Sequence, residues 1–139
     1  MDCPLCQMPK NVVWSNQNFY IVDGGNDHFP AYLKVISQRH VLEMSELTAQ
    51  ERTQLLDILL TIETLYKEEL KPAKVNWAQF GNVVNHLHWH IIARWKDDSH
   101  YPNSAWEPAL RSVDPTLLKT RQALMETVKK QLIQKLSAF

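Results

Sequence analysis

Residues 86–92 read His-Leu-His-Trp-His-Ile-Ile, which places three of the chain's six histidines at every second position. In a β-strand side chains alternate faces, so His86, His88 and His90 share one face and Leu87, Trp89 and Ile91 take the other. Imidazoles two residues apart then stand ~7 Å apart at the Cα level, within reach of one phosphate or one metal ion. With six histidines in 139 residues, chance yields roughly 0.01 such matches per chain. Two chemistries suit the pattern. A neutral imidazole nitrogen can attack phosphorus and form a covalent phospho-histidine-type intermediate that water releases, while its neighbour offsets charge or protonates the leaving group. Alternatively, the three histidines are ligands of a catalytic zinc.

Both cysteines lie in Cys3-Pro4-Leu5-Cys6. Only two residues precede them, so the strand that a redox CxxC motif follows is missing and the pair reads as half of a metal site. Two further ligands are needed to close a tetrahedron. His86, at one end of the histidine run, and His40, after a strand expected at residues 31–36, supply them. A Cys3–Cys6–His40–His86 site would be closed and hence structural, which leaves His88 and His90 for phosphate chemistry.

The elements that must position these residues are visible in outline. Residues 18–23 (Asn-Phe-Tyr-Ile-Val-Asp) form a strand that stops at Gly24-Gly25, with residues 31–36 as its hairpin partner. Thr48-Ala49-Gln50-Glu51 has capping-box form and is followed by apolar residues at 55, 59, 62, 66 and 70, a helix ended by Lys71-Pro72. Residues 74–79 and 85–94 are two further strands. Asp114-Pro115 then starts a second helix with a stripe of Leu118, Met125, Val128, Leu132 and Leu136, expected to pack on the sheet. Short links between strands favour an α+β domain, an antiparallel sheet with helices on one side.

Composition bounds the function classes. Apolar residues make up 45% and charged residues 22%, and fifteen basic residues balance fifteen acidic ones. That balance gives no broad positive field for nucleic acid or an anionic membrane. Nor does any apolar run approach the ~20 residues of a membrane span. The N-terminus lacks a basic region followed by an apolar stretch, so a cytoplasmic location is expected.

The seven residues from His86 resemble the signature of the histidine triad (HIT) superfamily of nucleotide hydrolases and transferases. Cys3-x-x-Cys6, Arg39-His40, the helix from Thr48, Gly81-Asn82 and Trp106 look like further landmarks of that family, and the likeness is closest to its bacterial diadenosine tetraphosphate hydrolase-like branch. The resemblance implies a single domain with a zinc-binding segment at 1–15, a core at 16–107 and a helical extension at 108–139. It implies an antiparallel sheet of about five strands with a long central helix and a C-terminal helix, paired as a homodimer. His88 would be the nucleophile at the α-phosphate of a dinucleoside polyphosphate or nucleoside phosphoramidate, and His90 would bond the phosphate or the scissile oxygen. Asn82 would hold the phosphate. Asp23 would accept from the ribose, with Phe19 and Ile21 lining the base pocket or serving as plain core. Structural zinc on Cys3, Cys6, His40 and His86 would be the cofactor, with no organic one. Trp106 would either reach a partner's pocket or pack in the core. A zinc hydrolase and a zinc-stabilised nucleotide-binding protein without turnover are the competing readings. Val83 departs from the Ser or Thr usual after the amide residue, and Ile36-Ser37-Gln38-Arg39-His40 lacks a proline ahead of its basic residues. Asp97-Asp98 reads as a solvated turn rather than a magnesium site, and His28 and His100 as surface residues.

Overall fold

The computed structural model describes residues 3–139. Five antiparallel strands form one sheet: β1 (Val12–Ser15), β2 (Phe19–Asp23), β3 (Tyr32–Ser37), β4 (Lys74–Ala78) and β5 (His88–Arg94). Their spatial order is β1-β2-β3-β5-β4. The sequence reading had no individual place for β1. Two amides, of Asn18 and Phe19, bond to the Asn16 side-chain oxygen and close the turn that folds β1 onto β2.

Helix α1 (Ala49–Glu69) begins as its sequence predicts. The Glu51 amide donates to the Thr48 hydroxyl at 3.1 Å, and the Thr48 amide donates to the Glu51 carboxylate at 2.8 Å. The predicted stripe of Leu55, Leu59, Ile62, Tyr66 and Leu70 is buried. The helix ends with Lys71 at φ 49°, a left-handed residue before Pro72 that closes the last turn through its amide to the Tyr66 carbonyl. Helix α2 (Pro115–Lys135) starts where the Asp114 carboxylate accepts from the Thr116 amide. It packs on α1 and, at the edge strand β1, on the sheet, where the sequence placed it.

Both helices cover one face of the sheet. The core there holds Phe19, Ile21, Leu33, Val35, Leu87 and Ile91 against Leu55, Ile62, Val128 and Leu132. Full burial of one such side chain contributes about 1.5–3 kcal/mol. The opposite face carries two smaller apolar clusters. Leu5 and Val12 pack on Tyr20, Val22 and Ile36, while Ala105 packs on Phe29, Tyr32 and Ile92. The histidines stand between these two small clusters. No helix of the described residues is long and apolar enough to cross a membrane.

Candidate functional site

Strand β5 lies between β3 and β4, with His88 opposite Ile36 and His90 opposite Lys34 and Ala78. Alternation therefore puts His88 and His90 on the sheet face that the helices leave open. His86 precedes the strand, which starts at His88 and not at residue 85. The rings of His88 and His90 meet edge to face at 5.0 Å. The His88 Nδ1 lies 2.6 Å from the His86 carbonyl oxygen. A carbonyl only accepts, so Nδ1 carries a proton, and in the neutral form of the ring the lone pair is on Nε2. The His90 Nδ1 lies 2.5 Å from the hydroxyl of Tyr32. Burial above all, with His88 and Lys34 close by, pushes the His90 imidazole down to about 4. It is therefore neutral at pH 7.

Both rings open into a cavity of about 330 Å³ lined also by Phe80, Gly81, Asn82, Val83, Val84 and Trp106. Gly81, at φ 76°, makes the turn that brings Asn82 to this cavity; a side chain would be strained there. Trp106 stacks edge to face on Phe80 at 4.8 Å and on His90 at 5.0 Å. Half-exposed and lying on its own chain's His90, it is not a core residue. Among the described residues no lysine or arginine lines the cavity. The cavity thus sets two neighbouring imidazoles and the Asn82 amide against mainly apolar walls.

Next to this cavity, Cys3, Cys6, His40 and His86 bring one ligand atom each to within 4.8 Å of one another. The His40 Nδ1 is 3.0 Å from the Cys6 sulfur, and the His86 Nδ1 is 3.3 Å from the Cys3 sulfur. His86 donates its Nε2 proton to the Ser37 carbonyl at 2.7 Å, which leaves Nδ1 unprotonated toward the thiols. A fixed tautomer behind a lone pair is the outer-shell arrangement of a metal-ligating histidine. Two thiols and two imidazoles at this spacing fit a closed tetrahedral site. The alternative reading puts all three histidines on a single metal; here His86 turns its Nδ1 to the cysteines, while carbonyl and phenol occupy the Nδ1 atoms of His88 and His90.

Asn82 and Trp106 thus join His88 and His90, whereas three other expected residues do not. Phe19 and Ile21 are 1% and 0% exposed in the helix-side core. Asp23 lies on the same side, bonded to the Lys129 ammonium at 2.8 Å and lining a separate cleft with Asn26 and Glu126. The odd positions of β2 pair with Leu33, Val35 and Ser37, so they face away from the histidines. Val83 is almost fully exposed at the cavity mouth. The expectation of a solvated Asp97-Asp98 turn fails for Asp98, which is buried and paired with Arg94 at 2.7 Å. His100 is buried too, against Ser99 and Phe29, while His28 is exposed as expected. Tyr32 and Phe80 were missed. Once β3 is known to neighbour β5, the even positions 32, 34 and 36 point to the histidine face, but that adjacency has no local signal.

A family model described as the HIT domain matches residues 6–97. Among solved structures, the fold is similar to that of a histidine triad protein from Bradyrhizobium japonicum, with 23% identity, a TM-score of 0.66, and coverage of 86% of this chain and 92% of that one. A histidine triad protein from Marinobacter aquaeolei VT8 gives 20% identity and a TM-score of 0.67 over 88% of this chain and 91% of that one. A Zn-bound histidine triad family protein from Mycobacterium smegmatis gives 17% identity and a TM-score of 0.57 over 95% and 90%. No curated relative matches the sequence.

Proposed function

The chain belongs to the HIT-domain family, and on that footing we propose that it cleaves nucleotide conjugates at the α-phosphate through a covalent nucleotidyl-histidine on His88. The His88 Nε2 lone pair attacks phosphorus, the N–P bond forms, and the bond to the leaving oxygen or nitrogen breaks as that atom takes up a proton. Water then attacks the same phosphorus, the N–P bond breaks, and a nucleoside monophosphate leaves. The observation that carries this reading is the 2.6 Å bond from His88 Nδ1 to the His86 carbonyl at the cavity wall. It holds the ring and aims the unprotonated nitrogen outward. His90 donates from its other nitrogen to the phosphate or to the scissile bridging atom, and the Asn82 amide holds a phosphate oxygen. The apolar cavity, with no lysine or arginine among the described residues of its lining, favours a neutral amine or aromatic leaving group over a polyphosphate.

Cys3, Cys6, His40 and His86 would hold zinc. In that closed set the ion supplies folding energy and no open coordination position. In this reading two copies pair as a homodimer, with Phe80, Val83 and Trp106 exposed at the cavity mouth.

The test is nucleotide release from a panel headed by diadenosine tetraphosphate and adenosine phosphoramidate, comparing wild type with His88→Ala. Wild type releases AMP, and a folded variant loses nearly all turnover. Equal activity in both proteins refutes the nucleophile. Nucleotide affinity without any product supports a binding protein instead.

A further inference from the structure

The two active imidazoles are held by partners of opposite kind. His88 gives its Nδ1 proton to a backbone carbonyl. His90 turns its Nδ1 to the Tyr32 hydroxyl, on the neighbouring strand β3 and 58 residues away in sequence. We propose that Tyr32 is a positioning residue that donates to His90 Nδ1 and so locks His90 in the tautomer carrying its proton on Nε2, opposite to His88. This extends the reading of His88 as nucleophile and rests on it for its catalytic consequence.

The direction of the bond follows from what each atom can do. A phenol oxygen can accept or donate, and so can a neutral imidazole nitrogen. If Nδ1 carried the proton, the Tyr32 oxygen would accept it, and the phenol's own proton would need another acceptor. Among the described residues it has none: His90 is the only polar partner of that hydroxyl. Tyr32 is 8% exposed, in a cluster with Phe29 and Ile92, so water is a poor substitute. A buried donor left unmade is the costlier arrangement. Burial also pushes the Tyr32 phenol up to about 12, so the donor keeps its proton at neutral pH.

The consequence reaches the cavity. With Nδ1 saturated by the phenol, Nε2–H is the ring edge left for the cavity that His90 lines. One wall then carries a nitrogen lone pair on His88 and an N–H on His90, with ring centroids 5.0 Å apart. A phosphorus atom needs the first, and a phosphate oxygen or bridging atom needs the second. If His90 adopted the opposite tautomer, two lone pairs would face an anionic phosphate. Tyr32 does not touch the reacting atoms in this scheme; it acts through His90.

The decisive measurement is the tautomeric state of His90 by long-range ¹H–¹⁵N correlation of the imidazoles, assigned with His90→Gln. Wild type should show the His90 proton on Nε2 and that of His88 on Nδ1. In Tyr32→Phe, which keeps the ring in its cluster, the His90 signals should move to a mixture or to the Nδ1–H form. Its kcat for AMP release should fall ~10- to 100-fold with KM within about twofold, as expected for an interaction made in the transition state. Wild-type His90 protonated on Nδ1 overturns the proposal without any variant. An unchanged Nε2–H tautomer in Tyr32→Phe overturns it too, whatever the rate. A wild-type protein with the expected tautomers but no AMP release keeps the lock and refutes the hydrolase reading, so the two failures are separable.

Discussion

Asp97 and Asp98 are neighbours in sequence, yet replacing each by asparagine should have very different effects. Asp98 accepts five hydrogen bonds: from Arg94 Nε at 2.7 Å and Nη2 at 3.0 Å, and from the amides of Trp95, His100 and Tyr101 at 3.1, 3.0 and 2.7 Å. The Arg94 guanidinium is itself buried, over Phe29 and bonded to Asn76. An asparagine keeps one accepting oxygen, but it sets an N–H₂ against a donor and leaves the guanidinium without its counter-charge. Breaking a buried pair on one side costs about 3–5 kcal/mol, a large part of the roughly 5–15 kcal/mol that holds such a domain folded. The midpoint of thermal unfolding should fall ~10–20 °C. By contrast, the Asp97 side chain is 53% exposed in its bridge to Arg121, and Asp97→Asn should cost less than about 1 kcal/mol. Arg94→Met combined with Asp98→Asn removes the stranded charge and should be less destabilising than Asp98→Asn alone. Urea unfolding followed by fluorescence of the five tryptophans reads all four proteins. If Asp98→Asn were as mild as Asp97→Asn, the picture of a buried ionic knot at the base of the Trp106 loop would be wrong.

Acid should weaken the protein in two stages. His90 titrates near 4 rather than its ordinary 6.5, so the unfolded chain takes the proton first and stability falls as pH drops from 6.5 toward 4, by about 3 kcal/mol at most. The Arg39 hydrogen bond, opposed by burial and helped by the Thr48 amide, brings Glu51 down to about 2 from 4.5. Its contribution is present above pH 4.5 and lost as pH falls toward 2. With Arg39 half-exposed, solvent screening leaves about 1–2 kcal/mol. Glu51→Gln should flatten the lower stage of the pH–stability curve and spare the upper one; a curve that keeps both stages would refute the assignment. Chelation of zinc-loaded protein, or Cys6→Ser, should lower the unfolding temperature while AMP release per folded molecule survives. Lost turnover at unchanged stability would instead place the metal in the chemistry.

Where a feature depends on a few consecutive residues, the sequence reads it well. The capping box at Thr48, the buried stripe of α1 and the Asp114-Pro115 helix start follow from backbone periodicity and local hydrogen bonds, and the structure carries all three. The C-x-x-C pair likewise announced ligands in search of partners, and the chain brings His40 and His86 to it. Register was not legible. Phe19, Ile21 and Asp23 are apolar or acidic residues on a strand, as a base and ribose pocket would want. Pairing with Leu33, Val35 and Ser37 turns them to the helices. A strand has two faces of equal local character, and only its neighbours decide which one is covered.

The same distinction separates the histidines from what controls them. Their spacing alone put His88 and His90 on one face, because side chains alternate along any extended backbone. Tertiary contacts decided the rest. The strand starts at His88, so His86 turns to the cysteines, and β3 beside β5 brings a phenol from 58 positions away to His90. Asp98 is buried because Arg94, four residues earlier, ends a central strand with its charge inside. Alternation is a property of one chain segment, whereas burial and the choice of hydrogen-bond partner belong to segments that meet only when the sheet is assembled.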